Sequence, residues 1–178
     1  MQLKSINPAG KILKKLIIRI ILFMFGKAIE AVQKIDKNAA GELSTFPEGA
    51  VIAIKPYAKG NGMVIIRYNG VFRYAGSKIP AETDLLISFK NINSAFKVLS
   101  GMNGIGDAYA QHRFTLEGDI FTTLPLVRAM LITETYLFPR FMVRKIAKEI
   151  PELCSNKFKA YLFTIAALFR RKYTPENN

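Results

Sequence analysis

The side chains that most often carry out chemistry in enzymes are scarce in this sequence. Cys154 is the only cysteine and His112 is the only histidine, so a structural zinc site with the usual Cys and His ligands cannot be assembled. A single cysteine also rules out an intrachain disulfide and favours a reducing compartment. A nucleophilic triad would have to include His112, and a surface or capping histidine is the more common situation.

Two pairs of carboxylates and one glycine-rich loop are the remaining candidates for a catalytic or phosphate-binding site. Glu82 and Asp84 stand at the entrance of a predicted strand, and Glu117 and Asp119 at the exit of another. Solubility and capping explain both pairs. The loop GMNGIG at 101–106 lacks the Gly-x-Gly-x-x-Gly spacing and follows a helix, whereas a dinucleotide site follows a strand. We therefore expect no enzyme, no metal and no cofactor.

The composition describes one domain with a strong positive charge. The chain has 178 residues, of which 50% are hydrophobic and 22% charged, enough for one core but hardly for two. Lys and Arg number 26 against 13 Asp and Glu, which gives a formal charge of +13. Such a charge favours nucleic acid, anionic lipid or acidic proteins as partners.

The N-terminal segment 11–36 is predicted to be an imperfect amphipathic helix. At 100° per residue, Lys11, Lys14, Lys15 and Arg19 share one arc, opposite an apolar arc of Leu13, Leu16, Ile17, Ile20, Phe23 and Met24. Arg19 and Lys27 leave only seven uncharged residues between them, too few for a transmembrane span. Two interpretations stay open: the helix lies in a membrane interface, or it packs its apolar face on its own domain.

The C-terminal segment is predicted to form two basic helices, 138–150 and 156–172, separated by Pro151. In both end segments the cations stand beside large apolar residues, which favours a lipid surface over a phosphodiester backbone. RNA binding is a weaker alternative, based on the run from Arg67 to Tyr74, which mixes basic and aromatic residues. The predicted membrane-binding residues are Lys11, Lys14, Lys15, Arg19, Phe23, Arg140, Arg144 and Lys148.

The middle of the chain has the pattern of an antiparallel sheet. Strands are predicted near 50–56, 62–68 and 71–76, and Asn69-Gly70 is a strong hairpin signal because both residues accept positive φ. A fourth strand follows Pro80, and then a short helix capped by Asn93 or Ser94 and ended by Gly101. A fifth strand alternates around Phe114 and Leu116. It leads into a helix with Pro125 in its first turn.

Residues 84–119 resemble the sterol carrier protein 2 family. The family runs from an Asp-led apolar strand into a Phe-Leu-Gly helix end, then through a variable loop to a strand that ends in Gly-Asp. The matching residues are Asp84, Leu86, Ile87, Phe89, Phe96, Leu99, Gly101, Phe114, Leu116, Gly118 and Asp119. Where the family often has Gly-Lys before the final strand, this chain has His112-Arg113, and the likeness covers roughly 45–133.

The resemblance implies an α+β fold, with a five-stranded, mainly antiparallel sheet covered on one face by helices. It also implies an apolar tunnel between these layers. Family members bind sterols, fatty acids, acyl chains or phospholipids without changing them, and some bacterial members assist isoprenoid quinone synthesis. We expect a basic amphipathic segment at 1–44, the lipid-binding domain at 45–133 and a basic helical extension at 134–178.

The predicted tunnel wall consists of large apolar residues that would surround a hydrocarbon chain. Its members are Phe89, Phe96, Leu99, Met102, Phe114, Leu116, Phe121, Leu124 and Met130. Phenylalanine and methionine make adaptable walls, although the same residues could also form an ordinary filled core. We thus expect a cytoplasmic lipid carrier that attaches reversibly to anionic membranes. A membrane-surface scaffold that recruits lipid- or quinone-modifying enzymes is the alternative.

Overall fold

The chain forms six helices and five strands within the residues that the computed structural model describes, namely 8–58, 61–139, 143–144 and 150–174. In chain order they are α1 (Pro8–Val32), α2 (Lys37–Ser44), β1 (Val51–Lys55), β2 (Met63–Tyr68), β3 (Val71–Gly76), β4 (Leu85–Phe89), α3 (Ile92–Leu99), α4 (Ile105–Ala110), β5 (Phe114–Gly118), α5 (Ile120–Leu137) and α6 (Lys157–Phe169). The predicted α+β class, with helices at both ends, is confirmed.

The five strands build one mixed sheet in the order β3-β2-β1-β4-β5. β1 with β2, β2 with β3, and β4 with β5 are antiparallel, whereas β1 and β4 are parallel. The chain therefore makes a meander to one edge of the sheet and then crosses back to add β4 and β5 on the other side of β1. The predicted mainly antiparallel sheet is confirmed.

The hairpin between β2 and β3 turns at the predicted dipeptide. Asn69 and Gly70 have φ values of 53° and 75°, the pair of positive values that a two-residue turn of this hand requires. Because the turn fixes the register of the two strands, β2 and β3 fall within one residue of the expected bounds. Glu48 accepts hydrogen bonds from both turn amides.

The sheet buries one of its faces under helices. Side chains alternate along a strand, so Phe72 and Tyr74 of β3 point to the same face, as do Leu85, Ile87 and Phe89 of β4. All five belong to the main core cluster, together with residues of α1, α3 and α5. The core of the molecule is therefore the layer between this face and the helices.

α1 packs on the sheet with apolar residues that lie within the arc of its basic residues and not in the arc opposite to it. Ile18, Leu22, Phe25 and Ile29 are 1–4% exposed and lie in the main core cluster. The prediction that α1 would bury the opposite, more continuous apolar arc, if it packed on its own domain, is wrong. The buried stripe has the i, i+4, i+7, i+11 spacing of one helix face and continues over the sheet as far as Ile29.

The close approach of α1 to the sheet depends on a glycine. A Cβ atom on Gly26 would stand 2.6 Å from a ring carbon of Tyr74 and 3.1 Å from the Met63 sulfur. A glycine in the interior of a helix costs about 1 kcal/mol relative to alanine. Here it lets the helix backbone lie directly on the side chains of β2 and β3.

The segment from β4 to β5 forms as predicted, with one correction. The side chain of Asn91, rather than Asn93 or Ser94, caps α3 by accepting a hydrogen bond from Ser94 N at 2.9 Å. Asn91 has the extended backbone that an N-cap residue needs, whereas Asn93 and Ser94 already lie inside the helix. His112 has a φ of 50°, the left-handed conformation that a glycine adopts more readily.

The outer edge of β3 is covered by the two terminal segments. Gln33 of α1 donates to Phe72 O at 2.5 Å and accepts from Phe72 N at 2.9 Å. Beyond α6, Tyr173 N donates to Tyr74 O at 2.9 Å, and the guanidinium of Arg73 lies near the rings of Tyr68 and Tyr173. These contacts satisfy edge groups that would otherwise be open to another strand.

Several predictions on the C-terminal part fall outside the described residues. Most of the predicted helix 138–150 does, as do Arg140 and Lys148 of the predicted membrane-binding set; Arg144 is described and exposed. The last predicted helix is present as α6, with bounds within three residues of those expected. The division into 1–44, 45–133 and 134–178 stays a prediction, and α1 shares its buried residues with the sheet.

Candidate functional site

Six of the nine predicted wall residues are brought together between the sheet and the helices. Phe89, Phe114 and Met130 are 6–7% exposed members of the main core cluster. Phe96, Leu99 and Leu116 are partly buried and pack against that cluster. β4, β5, α3 and α5 therefore place these side chains in one apolar cluster.

Aromatic rings occupy the space between the ends of β4 and β5. The rings of Phe89 and Phe114 are 5.5 Å apart in an edge-to-face arrangement, and the ring of Tyr109 from α4 is 5.8 Å from that of Phe114. Such pairs stabilise the packed arrangement beyond their simple burial. In this structure Phe89 and Phe114 thus contact each other.

The other three predicted wall residues do not join this layer. Met102 is 65% exposed, Phe121 80% and Leu124 55%. They follow α3 or lie in the first turns of α5, so they adjoin the layer without closing it. Their assignment to a ligand site stays a prediction.

A cavity of about 520 Å³ lies away from this apolar layer. It is lined by Thr135, Arg144, Ile150, Pro151, Glu152, Leu153 and Lys157. None of the nine predicted wall residues is among them. The Lys157 ammonium donates to Phe138 O at 2.9 Å, which ties this lysine to the carboxyl end of α5. The cavity therefore lies beside the junction of α5 and α6, and the predicted tunnel stays a prediction.

α1 and α6 together expose a large set of apolar side chains, which we call the outer apolar surface. Each member is at least 37% exposed, and in α1 this surface is mainly the apolar arc opposite the buried stripe. Phe23 lies at its border, because its ring also packs edge-to-face on that of Tyr74 in β3, with the centroids 5.4 Å apart. Its members are Ile12, Leu13, Leu16, Ile20, Phe23 and Met24 of α1, and Phe158, Tyr161, Leu162, Phe163, Ile165 and Phe169 of α6. This is far more than the scattered apolar residues of an ordinary surface.

Two lysines of the predicted basic arc turn toward the domain. The ammonium of Lys14 donates to Asn93 Oδ1 at 2.8 Å and lies 5.8 Å from the Phe96 ring centroid. That of Lys15 lies 5.4 Å from the ring centroid of Tyr57. Lys11 and Arg19 are exposed. The first half of α1 therefore presents apolar residues outward and uses part of its charge to hold its position over α3.

α6 packs on α1 with its small residues. Ala160, Thr164 and Ala167 are 2–6% exposed, and Ala160 clusters with Val32 near the end of α1. Within α1, Ala28 and Ala31 are buried and continue the outward arc of Leu13 and Leu16. Helices packed through small residues approach each other closely, so α6 covers the second half of this arc and leaves the first half open.

A buried charged cluster fixes the end of α6 against α1. Lys27 and Glu30 are 1% and 3% exposed, and their charged groups are 3.5 Å apart. The carboxylate of Glu30 lies 3.3 Å from the guanidinium of Arg170, and Lys27 donates to Arg170 O at 2.9 Å. Charges so deeply buried need such partners, and the cluster therefore ties α6 to α1.

Asp36 and Tyr136 are the buried pair that most resembles a catalytic arrangement. The Tyr136 hydroxyl donates to Asp36 at 2.7 Å, and Asp36 also accepts from Cys154 N and from two amides at the start of α2. Burial alone would raise the pKa of Asp36, but these hydrogen bonds outweigh it and hold the pKa below its ordinary value. The pair joins α2, α5 and the segment before α6, so packing explains it. Among the described residues, no three His, Cys, Asp or Glu side chains come together as metal ligands.

Glu134 is the polar residue of the core that the sequence analysis missed. It is 9% exposed in α5, and its Oε2 atom has no hydrogen-bond partner among the described residues. Burial raises the pKa of this carboxyl from 4.5 to about 7. A charged residue inside the otherwise uncharged run LITETYL was the available signal.

The side chains of residues 67–74, which were considered for RNA binding, mostly point into the domain. Phe72 is fully buried and Tyr74 is 8% exposed, while the Arg67 guanidinium donates to Leu43 O. Tyr68 and Arg73 pack with Tyr173. An RNA-binding sheet needs exposed aromatic rings on which bases stack, and these residues expose little aromatic surface.

No family model and no curated protein matches this sequence. Solved structures similar to it include the UbiJ-SCP2 ubiquinone synthesis protein, with 16% identity and a TM-score of 0.41 over 70% of this chain and 99% of that one. A crystal structure of sterol carrier protein 2 like 2 from Aedes aegypti has 16% identity and a TM-score of 0.33, and the match covers 55% of this chain and 94% of that one. The solution structure of the palmitated form of that protein has 16% identity and a TM-score of 0.34, and the match covers 58% of this chain and 92% of that one.

All three similar structures carry the name of the family that residues 84–119 resemble. With 16% identity and TM-scores below 0.5, what this chain binds has to follow from its own residues. No helix in the described ranges combines the length and the apolar composition needed to cross a bilayer.

Proposed function

We propose that this protein is a non-catalytic carrier of an apolar ligand that docks reversibly on anionic membranes through α1 and α6. The outer apolar surface is the observation that supports this function best. A helix that lies in a membrane interface needs large apolar side chains on the outside and cations beside them. α1 and α6 have this arrangement, and the rest of the domain supports the two helices from behind.

The distribution of charge supports docking on anionic lipid in particular. The first 29 residues contain six basic and no acidic side chains, and residues 153–174 contain five basic and no acidic ones. Each Lys or Arg close to an anionic surface contributes about 1 kcal/mol, and salt weakens the effect. The strongest positive charge thus coincides in sequence with the outer apolar surface.

The ligand part of the proposal depends on the apolar layer between the sheet and the helices. Phe89, Phe96, Leu99, Phe114, Leu116 and Met130 line it from four elements. Aromatic and thioether side chains can rearrange around a flexible hydrocarbon chain. Met102, Phe121 and Leu124 are exposed beside this layer, where they could receive a chain that enters from a membrane.

Native mass spectrometry of the gently purified protein tests the ligand directly. We expect a fraction of the molecules to carry a mass that organic extraction removes and identifies as a lipid. Incubation of the extracted protein with phosphatidylcholine vesicles should restore that mass. A protein that stays at its apo mass after both treatments would rule out the carrier function.

Vesicle flotation tests the docking surface. We expect wild-type protein to float with vesicles of phosphatidylcholine and phosphatidylglycerol, and a variant with Leu13→Asn, Leu16→Asn and Ile20→Asn to stay at the bottom. A second variant, Lys11→Glu with Lys14→Glu, Lys15→Glu and Arg19→Glu, should also lose binding. Lys37→Glu with Lys78→Glu, Lys90→Glu and Lys97→Glu, which makes the same change of charge at exposed residues outside α1 and α6, is the control and should keep most of the flotation. Unchanged binding in the first two variants would remove α1 from the mechanism.

A scaffold without a ligand is the second candidate, because Phe89 and Phe114 contact each other and are buried. In that case the apolar layer is an ordinary core, and α1 and α6 serve to bring lipid- or quinone-modifying enzymes to the membrane. Retention of vesicle binding together with a persistent apo mass would favour the scaffold over the carrier.

A further inference from the structure

β5 forms the edge of the sheet that lies opposite to β3. The strand order gives β5 one neighbour, β4, and no other segment of the described chain pairs with it. The edge at β3 is different, because Gln33 and Tyr173 cover it with hydrogen bonds. An open edge strand offers a row of backbone donors and acceptors to a further strand, and proteins usually cover or interrupt such an edge.

The hydrogen bonds to β4 show which groups of β5 point outward. Lys90 N donates to Arg113 O at 3.1 Å, so Arg113 and every second residue after it direct their N–H and C=O groups at β4. The residues between them, Phe114 and Leu116, occupy the alternate positions of the same register. Their N–H and C=O groups therefore face the open edge.

The sequence of this edge is complementary to a second copy of itself. In an antiparallel pair of β5 strands centred on Thr115, this residue faces its own counterpart. Arg113 then stands opposite Glu117 of the second copy, and the two-fold symmetry makes this pair twice. The same register brings the outward N–H and C=O groups of Phe114 to those of Leu116 in the second copy. Opposite charges that face each other across two strands stabilise the pair.

The two charged side chains do not form this ion pair within one chain. Four residues of strand separate Arg113 from Glu117, which is about 13 Å. The ion pairs of the described residues include neither of them, and Arg113 donates only to Gln111 Oε1, at 2.7 Å. In the paired strands, the Cα atoms of residues opposed in this way would be about 4.5 Å apart. A second copy therefore brings the two charges within reach of each other.

Exposed aromatic residues lie near both ends of β5. Tyr109 of α4 is 57% exposed, and its ring is 5.8 Å from that of Phe114. Phe121, three residues after β5, is 80% exposed. Antiparallel pairing places the start of one β5 beside the end of the other, which brings Tyr109 and Phe121 of different copies to the same end of the interface. The edge of a short strand is a small interface by itself, and these rings enlarge it.

We propose that this protein forms a two-fold symmetric dimer in which the β5 strand of a second copy occupies the open edge. The main-chain groups of Phe114 and Leu116 join the two strands, and the two pairs of Arg113 with Glu117 fix their register. A strand of another protein would fit the main-chain groups equally well, but the match of each charge to its opposite in the same sequence favours a second copy.

The dimer would present two docking surfaces to one membrane, a consequence that rests on the proposed docking function. Directly opposed residues of antiparallel strands lie on the same face of a sheet, so the helices of both copies would cover one side of a continuous sheet. In α1 the stripe of Ile18 and Leu22 is buried in the core, and the exposed Leu13 and Leu16 lie opposite to it. Two linked surfaces bind one vesicle more tightly than a single surface does.

Sedimentation equilibrium of the full-length protein tests the dimer, and charge reversal tests its register. We expect wild type to reach twice the mass of one chain as its concentration is raised. Arg113→Glu and Glu117→Arg each make both cross-strand pairs repulsive, so each should weaken dimerisation about tenfold or more. Lys78→Glu, which reverses an exposed charge outside β5, is the control and should associate like wild type.

A mixture of the two variants gives the sharpest result. When Arg113→Glu is mixed with Glu117→Arg, each cross-strand pair of a mixed dimer again joins a carboxylate to a guanidinium. The mixture should therefore dimerise with an affinity close to that of wild type. The double variant, in which the two charges are exchanged within one chain, should likewise form a homodimer. Restored association also shows that the single variants are folded.

The outcomes separate the dimer from the docking function. Wild-type protein that stays monomeric, a dimer that neither reversal weakens, or single variants that stay monomeric when mixed would each overturn the pairing of β5. In vesicle flotation, Glu117→Arg should bind less than wild type although it is more positive, because it loses the second surface. Stronger flotation of Glu117→Arg would overturn docking by two copies and leave both the dimer and the docking of single molecules intact.

Discussion

α3 and α6 are both surface helices, but they distribute their side chains in opposite ways. α3 buries Ala95 and Val98 against the core and exposes Asn93 and Lys97. α6 buries Ala160, Thr164 and Ala167 and exposes six large apolar residues. α3 has the pattern expected of a helix between a core and water, whereas the outer face of α6 is suited to an apolar environment.

Two faces of α1 differ from each other in the same way as α6 differs from α3. Leu16 is 53% exposed and Leu22 is 1% exposed, although the two lie in one continuous helix. Burial in the core stabilises the domain, whereas side chains that are more than half exposed, such as Leu13 and Leu16, contribute little to it in water. Stability and the proposed membrane docking therefore depend on separate faces of α1, so a mutation can change one without the other.

The largest expected effect concerns the charged cluster that ties α6 to α1. Glu30→Ala leaves the buried Lys27 without its carboxylate, and such a change costs about 4 kcal/mol of unfolding free energy. The matched control is Glu42→Ala, which removes an ion pair of 2.8 Å with the exposed Arg128 and should cost less than about 1 kcal/mol. Urea unfolding measures both, and equal losses would show that α6 is not held by this cluster.

One substitution on the buried face of α1 and one on its exposed face test directly whether the two faces have separate roles. Leu22→Ala removes a fully buried side chain, and we expect a loss of about 3 kcal/mol. Leu16→Ala, with the same chemistry on the exposed face, should stay within about 0.5 kcal/mol of wild type. In vesicle flotation the order should reverse, with the weaker binding in Leu16→Ala. Similar unfolding free energies for the two variants would contradict the assignment of faces.

The buried carboxyl of Glu134 in α5 gives the unfolding free energy a pH dependence. The pKa of Glu134 is raised from 4.5 to about 7 by burial, so the folded state holds this proton more tightly than the unfolded state. Its contribution therefore favours folding at low pH and is lost as pH rises from about 4.5 to about 7, by roughly 2–3 kcal/mol. Unfolding free energies at pH 5 and pH 8 should show this loss in wild type relative to Glu134→Gln. Parallel pH profiles of the unfolding free energy for wild type and Glu134→Gln would contradict this prediction.

The smallest expected effect concerns the turn between α4 and β5. His112 has a φ of 50°, which costs a residue with a side chain about 1 kcal/mol relative to glycine. We therefore expect His112→Gly to raise the unfolding free energy by up to about 1 kcal/mol. Thermal unfolding at fixed pH measures the change, with Gln111→Gly as a control because Gln111 has a negative φ. A loss of stability in His112→Gly would show that the imidazole itself supports the turn.

Local signals predicted the strands well, because turn chemistry and alternation act over a few residues. Asn69-Gly70 set the hairpin and hence the bounds of β2 and β3. The alternation at Phe114 and Leu116 placed β5, and the Phe-Leu-Gly pattern placed α3 within the order that the family likeness implied. The cap of α3 was misplaced by two or three residues, since Asn91, Asn93 and Ser94 are all residue types that cap helices well.

The candidate site was predicted only in part. Phe89, Phe114 and Met130 lie in the expected layer, because apolar residues that alternate or recur on one face collect in a core. Met102 and Phe121 are exposed, since hydrophobicity alone does not distinguish a core residue from a docking residue. Glu134 was missed because its significance depends on the absence of a nearby hydrogen-bond partner, which only coordinates show.

The sequence by itself determined the strands, the hairpin, the positions of the terminal helices and their positive charge, all of which follow from local patterns and composition. Only the tertiary structure decided which side of α1 is buried. Two apolar stripes compete on that helix, and the stripe of Ile18, Leu22, Phe25 and Ile29 is the one that lies in the main core cluster, where the sheet, α3 and α5 together remove its side chains from water. Burial of that stripe leaves Leu13, Leu16 and Ile20 exposed. No local sequence pattern predicts which of the two stripes is buried.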